Sequence, residues 1–315
     1  MAKEVKKPRS KSAAAGGRVR KLTKKQSRAK AKKTAKSRQP LPGSFRLSWR
    51  VLNIFREHWK TLGGIVLVYL LLNVVFASGI SNVSTAFSTI KSDLQASGGH
   101  NLLHAAGGFT SLVGSAGASG SSAGSILQSV LFIIESLVII WALRHLLSEQ
   151  QITVKLAYYR SMTPLVPFLL VIFVIIIQLL PVTIGATVFA AIATSVFPGT
   201  AVASVLSAIA FILLGAWSLY MVSSSVFALY IVTLPDMQPR QALRSARDLV
   251  SFRRLTVLRK FLFLPLIILV VMGIIIVPLI LFASALVPVV FYILSMLAIL
   301  FTHTYLYSLY RGMLE

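Results

Sequence analysis

From residue 62 onward the chain is a succession of long apolar runs separated by short polar breaks. A bilayer core of about 30 Å takes about 20 apolar residues per helix. The runs predict spans at 62–80, 126–147, 165–191, 201–232, 261–282 and 286–307. The third and fourth are long for one crossing, so tilt or a kink at Pro167 or Pro181 is expected. Ahead of the first run, residues 44–60 place Phe45, Trp49, Leu52 and Trp59 at helical spacing, opposite Arg46, Arg50, Asn53 and Glu57, with Ser44 at the N-cap position. Residues 153–162 and 237–260 are also basic and amphipathic, and they precede the third and fifth runs. A basic amphipathic helix lies on a membrane surface rather than across it. The predicted fold class is therefore all-α: a polytopic membrane bundle of six transmembrane helices, with basic amphipathic surface helices before spans 1, 3 and 5.

Charge then orients this bundle. The chain has 32 Lys and Arg against eight Asp and Glu, a formal net charge of +24, although 56% of its 315 residues are hydrophobic. The first 60 residues hold 20 of the 32 basic residues, and the remaining 255 carry too few charges to coat a water-facing surface. A soluble enzyme is excluded on that ground. Residues 1–43, made of Lys, Arg, Ala, Ser and Gly, cannot bury enough surface to offset their ordering entropy and are expected to be a disordered basic tail. Short cytoplasmic loops collect Lys and Arg. Six spans put the tail, 144–160, 236–260 and Arg311 on one side. A third crossing within the uncharged stretch 161–235 would send the basic residues of 240–260 to the other. The expected location is the cytoplasmic (inner) membrane of a bacterium, with both termini inside. Residues 81–125, rich in Ser, Ala and Gly, form a long outer loop in this topology, and Asn82-Val83-Ser84 within it fits a glycosylation sequon.

Ser48-x-Arg50-x-Leu52-x-x-Phe55-Arg56 is repeated as Ser245-x-Arg247-x-Leu249-x-x-Phe252-Arg253, each copy leading into an outward-going span. The chain thus reads as three units, each a basic surface helix followed by a transmembrane hairpin. The entry to the fifth span, Pro235-Asp236 followed by Ala242-Leu243-Arg244-Ser245-Ala246-Arg247, and its echo at 44–60 resemble a prokaryotic group of six-span membrane proteins. That group includes the membrane domain fused to some glycerophosphodiester phosphodiesterases. The resemblance implies a membrane fold over roughly 44–315. It does not imply the phosphodiesterase activity, because the chain has no room for that catalytic barrel.

Glu135 is the sharpest candidate residue, since a carboxyl at mid-depth must face the bundle interior with a partner or carry a proton. Gln178 and Asn73 reach similar depth, so a Glu135–Gln178–Asn73 cluster is expected either to hold helices together, or to bind a substrate headgroup or relay a proton. His303, among Thr302, Thr304 and Tyr305, is placed nearer the cytoplasmic end and is expected to be interfacial. Arg240, Arg244, Arg247 and Arg254 fall on one helix stripe with Arg253, Arg259 and Lys260 beside it. With Arg46, Arg50, Arg56 and Lys60 they are candidates for contact with anionic phospholipids at the cytoplasmic face. Each such charge contributes on the order of 1 kcal/mol near an anionic leaflet. The tail has the charge to bind nucleic acid but no aromatic residue for base stacking, which favours lipid as its partner. With no cysteine, and with His100 and His104 in a Gly-rich segment where Asp93 alone offers a third ligand, no metal or other cofactor is expected. The functional expectation is a non-enzymatic membrane protein engaged in lipid organisation or membrane-protein assembly. The alternative is a small transporter or channel subunit using the polar cluster around Glu135, and it requires an accessible cavity at that carboxyl.

Overall fold

The computed structural model describes residues 41–77, 122–197, 201–251 and 253–314. The basic tail up to residue 40, most of the predicted outer loop, the sequon at Asn82, and His100 and His104 lie outside the described residues. Every regular element among the described residues is helical. A surface helix α1 (Ser44–Glu57) leads into the first long helix, α2 (Trp59–Ala77), and α3 (Ser122–Leu146) follows. The short α4 (Val154–Ser161) precedes a pair of long helices, α5 (Leu165–Val196) and α6 (Ala201–Val232). A second surface helix, α7 (Pro239–Val250), precedes α8 (Arg254–Phe282), and α9 (Val287–Leu314) completes the bundle. The long helices α2, α3, α5, α6, α8 and α9 are each apolar enough to cross a membrane, so the described residues form an all-α membrane protein with six candidate spans.

Three boundaries differ from the sequence pattern for identifiable reasons. Residues 237–260 are not one surface helix: α7 ends at Val250 and α8 starts at Arg254. One straight helix cannot both lie along a membrane and cross it. Arg254 therefore leaves the stripe of Arg240, Arg244 and Arg247, and its guanidinium sits 4.8 Å above the ring of Tyr220. Helices α8 and α9 extend beyond their apolar runs, to Arg254 and Leu314, because the basic and Tyr-rich turns at those ends keep their polar tips outside the core. The helix α3 begins at Ser122, inside the stretch expected to be loop.

Enclosure is uneven among the spans. The windows of α3 and α9 are 56% and 50% buried, whereas those of α5 and α6 are each 11% buried, so the core is built around α3 and α9. Helix α9 touches α1, α2, α3, α6, α7 and α8, while α5 packs mainly on α6. At 32 residues each, α5 and α6 are about 48 Å long at 1.5 Å per residue.

The helix α1 has three faces rather than two. Leu47, Ser48, Val51 and Ile54 pack into the bundle; Phe45, Trp49 and Leu52 stay exposed; Arg46, Arg50 and Asn53 form the polar stripe. At 100° per residue these sets occupy separate arcs, so the sequence encodes a protein side, an apolar outer side and a charged side. The break at His58 separates α1 from α2, which puts Trp59 and Lys60 in the first turn of a span.

The helix α4 is capped by Thr153, whose hydroxyl accepts from the Leu156 amide at 3.4 Å. It reaches α2 at Gly64, where a Cβ would stand 2.7 Å from Val154 Cγ2. A Cβ at the neighbouring Gly63 would meet nothing within 4 Å. Gly64→Ala is therefore expected to push α4 off α2 and to destabilise the protein by about 1–3 kcal/mol. Gly63→Ala removes the same flexibility without that clash and is expected to be neutral or mildly stabilising. Thermal unfolding of the two variants in one detergent checks the contrast.

Candidate functional site

The consecutive residues Glu135 and Ser136 of α3 start two polar chains. The Glu135 side chain is 1% exposed. Its Oε2 lies 2.7 Å from the hydroxyl of Tyr158 in α4, and that hydroxyl is also 3.2 Å from the carbonyl oxygen of Ile65 in α2. Tyr158 is thus a three-way tie between α2, α3 and α4. Burial pushes the Tyr158 phenol well above its ordinary range, so it stays a neutral donor. The remaining oxygen, Oε1, is buried without a hydrogen-bond partner. Tyr69 of α2 lies beside both Glu135 and Asn73. Asn73 is fully buried; its Nδ2 donates to the Tyr69 carbonyl at 3.1 Å and its Oδ1 is unpartnered.

The second chain runs to the other side of α3. The Ser136 hydroxyl donates to the Phe132 carbonyl at 2.7 Å, so its oxygen must accept from His303 Nε2, 3.1 Å away. With the proton on Nε2, His303 Nδ1 accepts from the Tyr230 hydroxyl at 3.3 Å. Every polar atom of Tyr230, His303 and Ser136 is satisfied with the imidazole neutral. This chain links α6, α9 and α3 across the core.

At the basic end of α3, Arg144 closes α6. Its Nη1 donates to the Thr233 carbonyl at 2.6 Å and its Nη2 to the Tyr230 carbonyl at 3.1 Å, with a further bond to the Thr233 hydroxyl. These carbonyls are the orphan acceptors of a helix C-terminus, where a cation also meets the helix dipole favourably. Beside this cap opens a groove of about 810 Å³, whose lining includes Trp141, Arg144, Arg160, Thr163, Asp236 and Gln238. A separate, mostly apolar lateral recess of about 790 Å³ is lined by Val68, Val154, Lys155, Tyr158, Tyr159 and Met162.

The structure sorts the residues singled out in the sequence. It brings Asn73 to Glu135 through Tyr69 but leaves Gln178 out: Gln178 lies on α5, away from the Glu135 hydrogen bonds, and its Oε1 has no partner. The expected three-member cluster is thus corrected to Glu135, Tyr158, Tyr69 and Asn73. His303 is not interfacial but enclosed at the level of Ser136, because α9 continues well past it to Leu314. Lys260 is buried and its Nζ bonds the Pro42 carbonyl, so it ties the start of α8 to the segment before α1 instead of facing lipid. Arg46, Arg50, Arg56, Lys60, Arg240, Arg244, Arg247 and Arg259 are exposed. Among the described residues, no group of three His, Cys, Asp or Glu side chains is placed to hold a metal ion.

The sequence reading missed Tyr158, Tyr69, Tyr230 and Arg144. Tyr158 had one available signal. It sits in a basic amphipathic turn directly followed by Tyr159, and only one of two adjacent tyrosines can face the bundle. Arg144 had another, as an arginine still inside the last turn of an apolar run. No family model, no curated protein and no solved structure matches the chain.

The Arg144 cap is testable by itself. Arg144→Met, which keeps the apolar stem and removes the donors, is expected to destabilise the protein by about 3 kcal/mol, because hydrogen bonds from charged groups are worth about 1.5–3 kcal/mol. Arg144→Lys is expected to recover only part of that, since an ammonium does not reproduce the two-pronged fork. Unfolding of the three proteins in a single detergent checks the order.

Proposed function

We propose that the protein is a non-enzymatic integral membrane protein that organises anionic phospholipid in the leaflet met by its basic face. The observation that carries this reading is the three-faced α1. A helix that only sealed the bundle would leave polar residues outside. Here Phe45, Trp49 and Leu52 are 78%, 67% and 52% exposed, beside exposed Arg46, Arg50 and Arg56. Aromatic and apolar side chains flanked by arginines suit the boundary between headgroups and acyl chains. The helix α7 adds Arg240, Arg244 and Arg247 on its exposed side, with Ala242, Ala246 and Val250 packed inward. The groove beside Arg144 and Arg160 supplies a cavity at the same end of the bundle.

The charge bias supports a cytoplasmic-membrane location with both termini inside, and it makes anionic lipid the partner of the basic tail. The transport alternative has less support. It requires an accessible cavity at Glu135, and that carboxyl is closed off behind Tyr158.

The test is lipid retention through purification in mild detergent, read by native mass spectrometry. Replacing Arg46, Arg50, Arg240, Arg244 and Arg247 together with Gln is expected to reduce co-purified anionic phospholipid severalfold and to leave zwitterionic lipid unchanged. At about 1 kcal/mol per charge near the surface the effect is large enough to see. Equal retention of anionic lipid by the two proteins refutes the reading.

A further inference from the structure

The Tyr158 hydroxyl has one proton and two acceptors within reach, Glu135 Oε2 at 2.7 Å and the Ile65 carbonyl at 3.2 Å. If Glu135 is ionised, the phenol must give its proton to the carboxylate, and the contact to Ile65 becomes two facing oxygens. The second carboxylate oxygen is then buried with no donor. If Glu135 carries a proton on Oε2, it donates to Tyr158 and Tyr158 donates to Ile65. All three groups are then joined in one direction.

The surroundings agree with the protonated form. The titratable groups facing Glu135 are Tyr69 of α2 and Tyr158 of α4. Tyr292 of α9 lies beyond Tyr69, and His303 of α9 lies behind Ser136. Neither tyrosine carries a positive charge, and the hydrogen bonding of His303 leaves it neutral. A buried charge needs a compensating partner, and none of these groups provides one.

We propose that Glu135 is a proton-binding site that works as a latch: with its proton on, it holds α4 through Tyr158 against α2 and α3, and with its proton off it releases α4. Tyr158 lines the lateral recess together with Lys155 and Val154, so moving α4 lets water reach the carboxyl and carry the proton away. Ionisation of Glu135 and withdrawal of Tyr158 are therefore one event. The latch closes as pH falls and opens as pH rises. It does not depend on the lipid-organising role.

The full chain contains no cysteine, so any cysteine introduced is a single reporter thiol. Val154→Cys places it at the half-buried contact with Gly64, and Tyr159→Cys places it at an exposed site on the same helix. With a membrane-impermeant maleimide on protein in nanodiscs, the labelling rate at 154 relative to 159 is expected to rise about tenfold between roughly pH 6 and roughly pH 9. The ratio removes the pH dependence of the thiol reaction itself. In a Glu135→Gln background the ratio is expected to stay low across the range, because a neutral amide cannot ionise. A ratio flat with pH in the parent, or a pH-dependent ratio that survives Glu135→Gln, overturns the latch. An infrared spectrum of the cysteine-free protein at neutral pH gives a second reading that needs no variant: a protonated-carboxyl C=O band is expected, and its absence overturns the proposal.

Discussion

A polar group inside a bilayer has no water to turn to and must find its partners within the protein. In this molecule that constraint is concentrated on α3. Within ten residues, Glu135, Ser136 and Arg144 each require a different neighbour: α4 with α2 for the carboxyl, α9 with α6 for the serine, and the end of α6 for the guanidinium. Apolar packing alone specifies helix positions weakly in lipid, because lipid tails are as apolar as leucine. Directional bonds from one central helix to three others, and through Tyr158 to a fourth, fix the arrangement more sharply. The two most enclosed spans, α3 and α9, are also those linked by His303 and Ser136.

The ends of the helices are governed by a different rule. At the basic face the spans meet water and headgroups, and their termini are tied by long side chains: Arg144 to α6, Arg311 to the Leu147 carbonyl, and Lys260 to Pro42. All three cations cap or bridge backbone carbonyls rather than carboxylates. Cations at this face therefore serve two purposes, and burial separates them. Arg144 and Lys260 are spent on the fold, whereas Arg46, Arg50, Arg240, Arg244 and Arg247 remain directed outward.

Much of the architecture was legible in the sequence, because hydropathy runs and charge asymmetry reflect the same bilayer that sets the fold. The fourth span, 201–232, lies where its apolar run does, and the surface helices precede the first, third and fifth spans as their basic periodicity predicts. Helix ends were less legible. At Arg254 and Leu314, stems that reach from the core to the surface let a helix continue through charged and Tyr-rich turns that hydropathy alone reads as outside. The site was half legible. Glu135 stands out as a lone acid in an apolar run, but its partner Tyr158 lies on a surface helix that no depth argument assigns to the interior. Gln178 has the right depth and the wrong helix. Depth can be counted along one span, whereas which helix lies beside which depends on the packing of the whole bundle.

The position of α9 bears on how the protein is made. It follows the other helices in the chain, yet it contacts α1, α2, α3, α6, α7 and α8. By contrast, α5 and α6 find most of their contacts in each other and are able to enter the membrane as a finished pair. Until α9 arrives, Ser136 and Tyr230 lack the imidazole that joins them, and the first two spans lack a wall. Closure of the core is therefore concentrated in the docking of one helix, and both hydrogen bonds of His303 wait on that step.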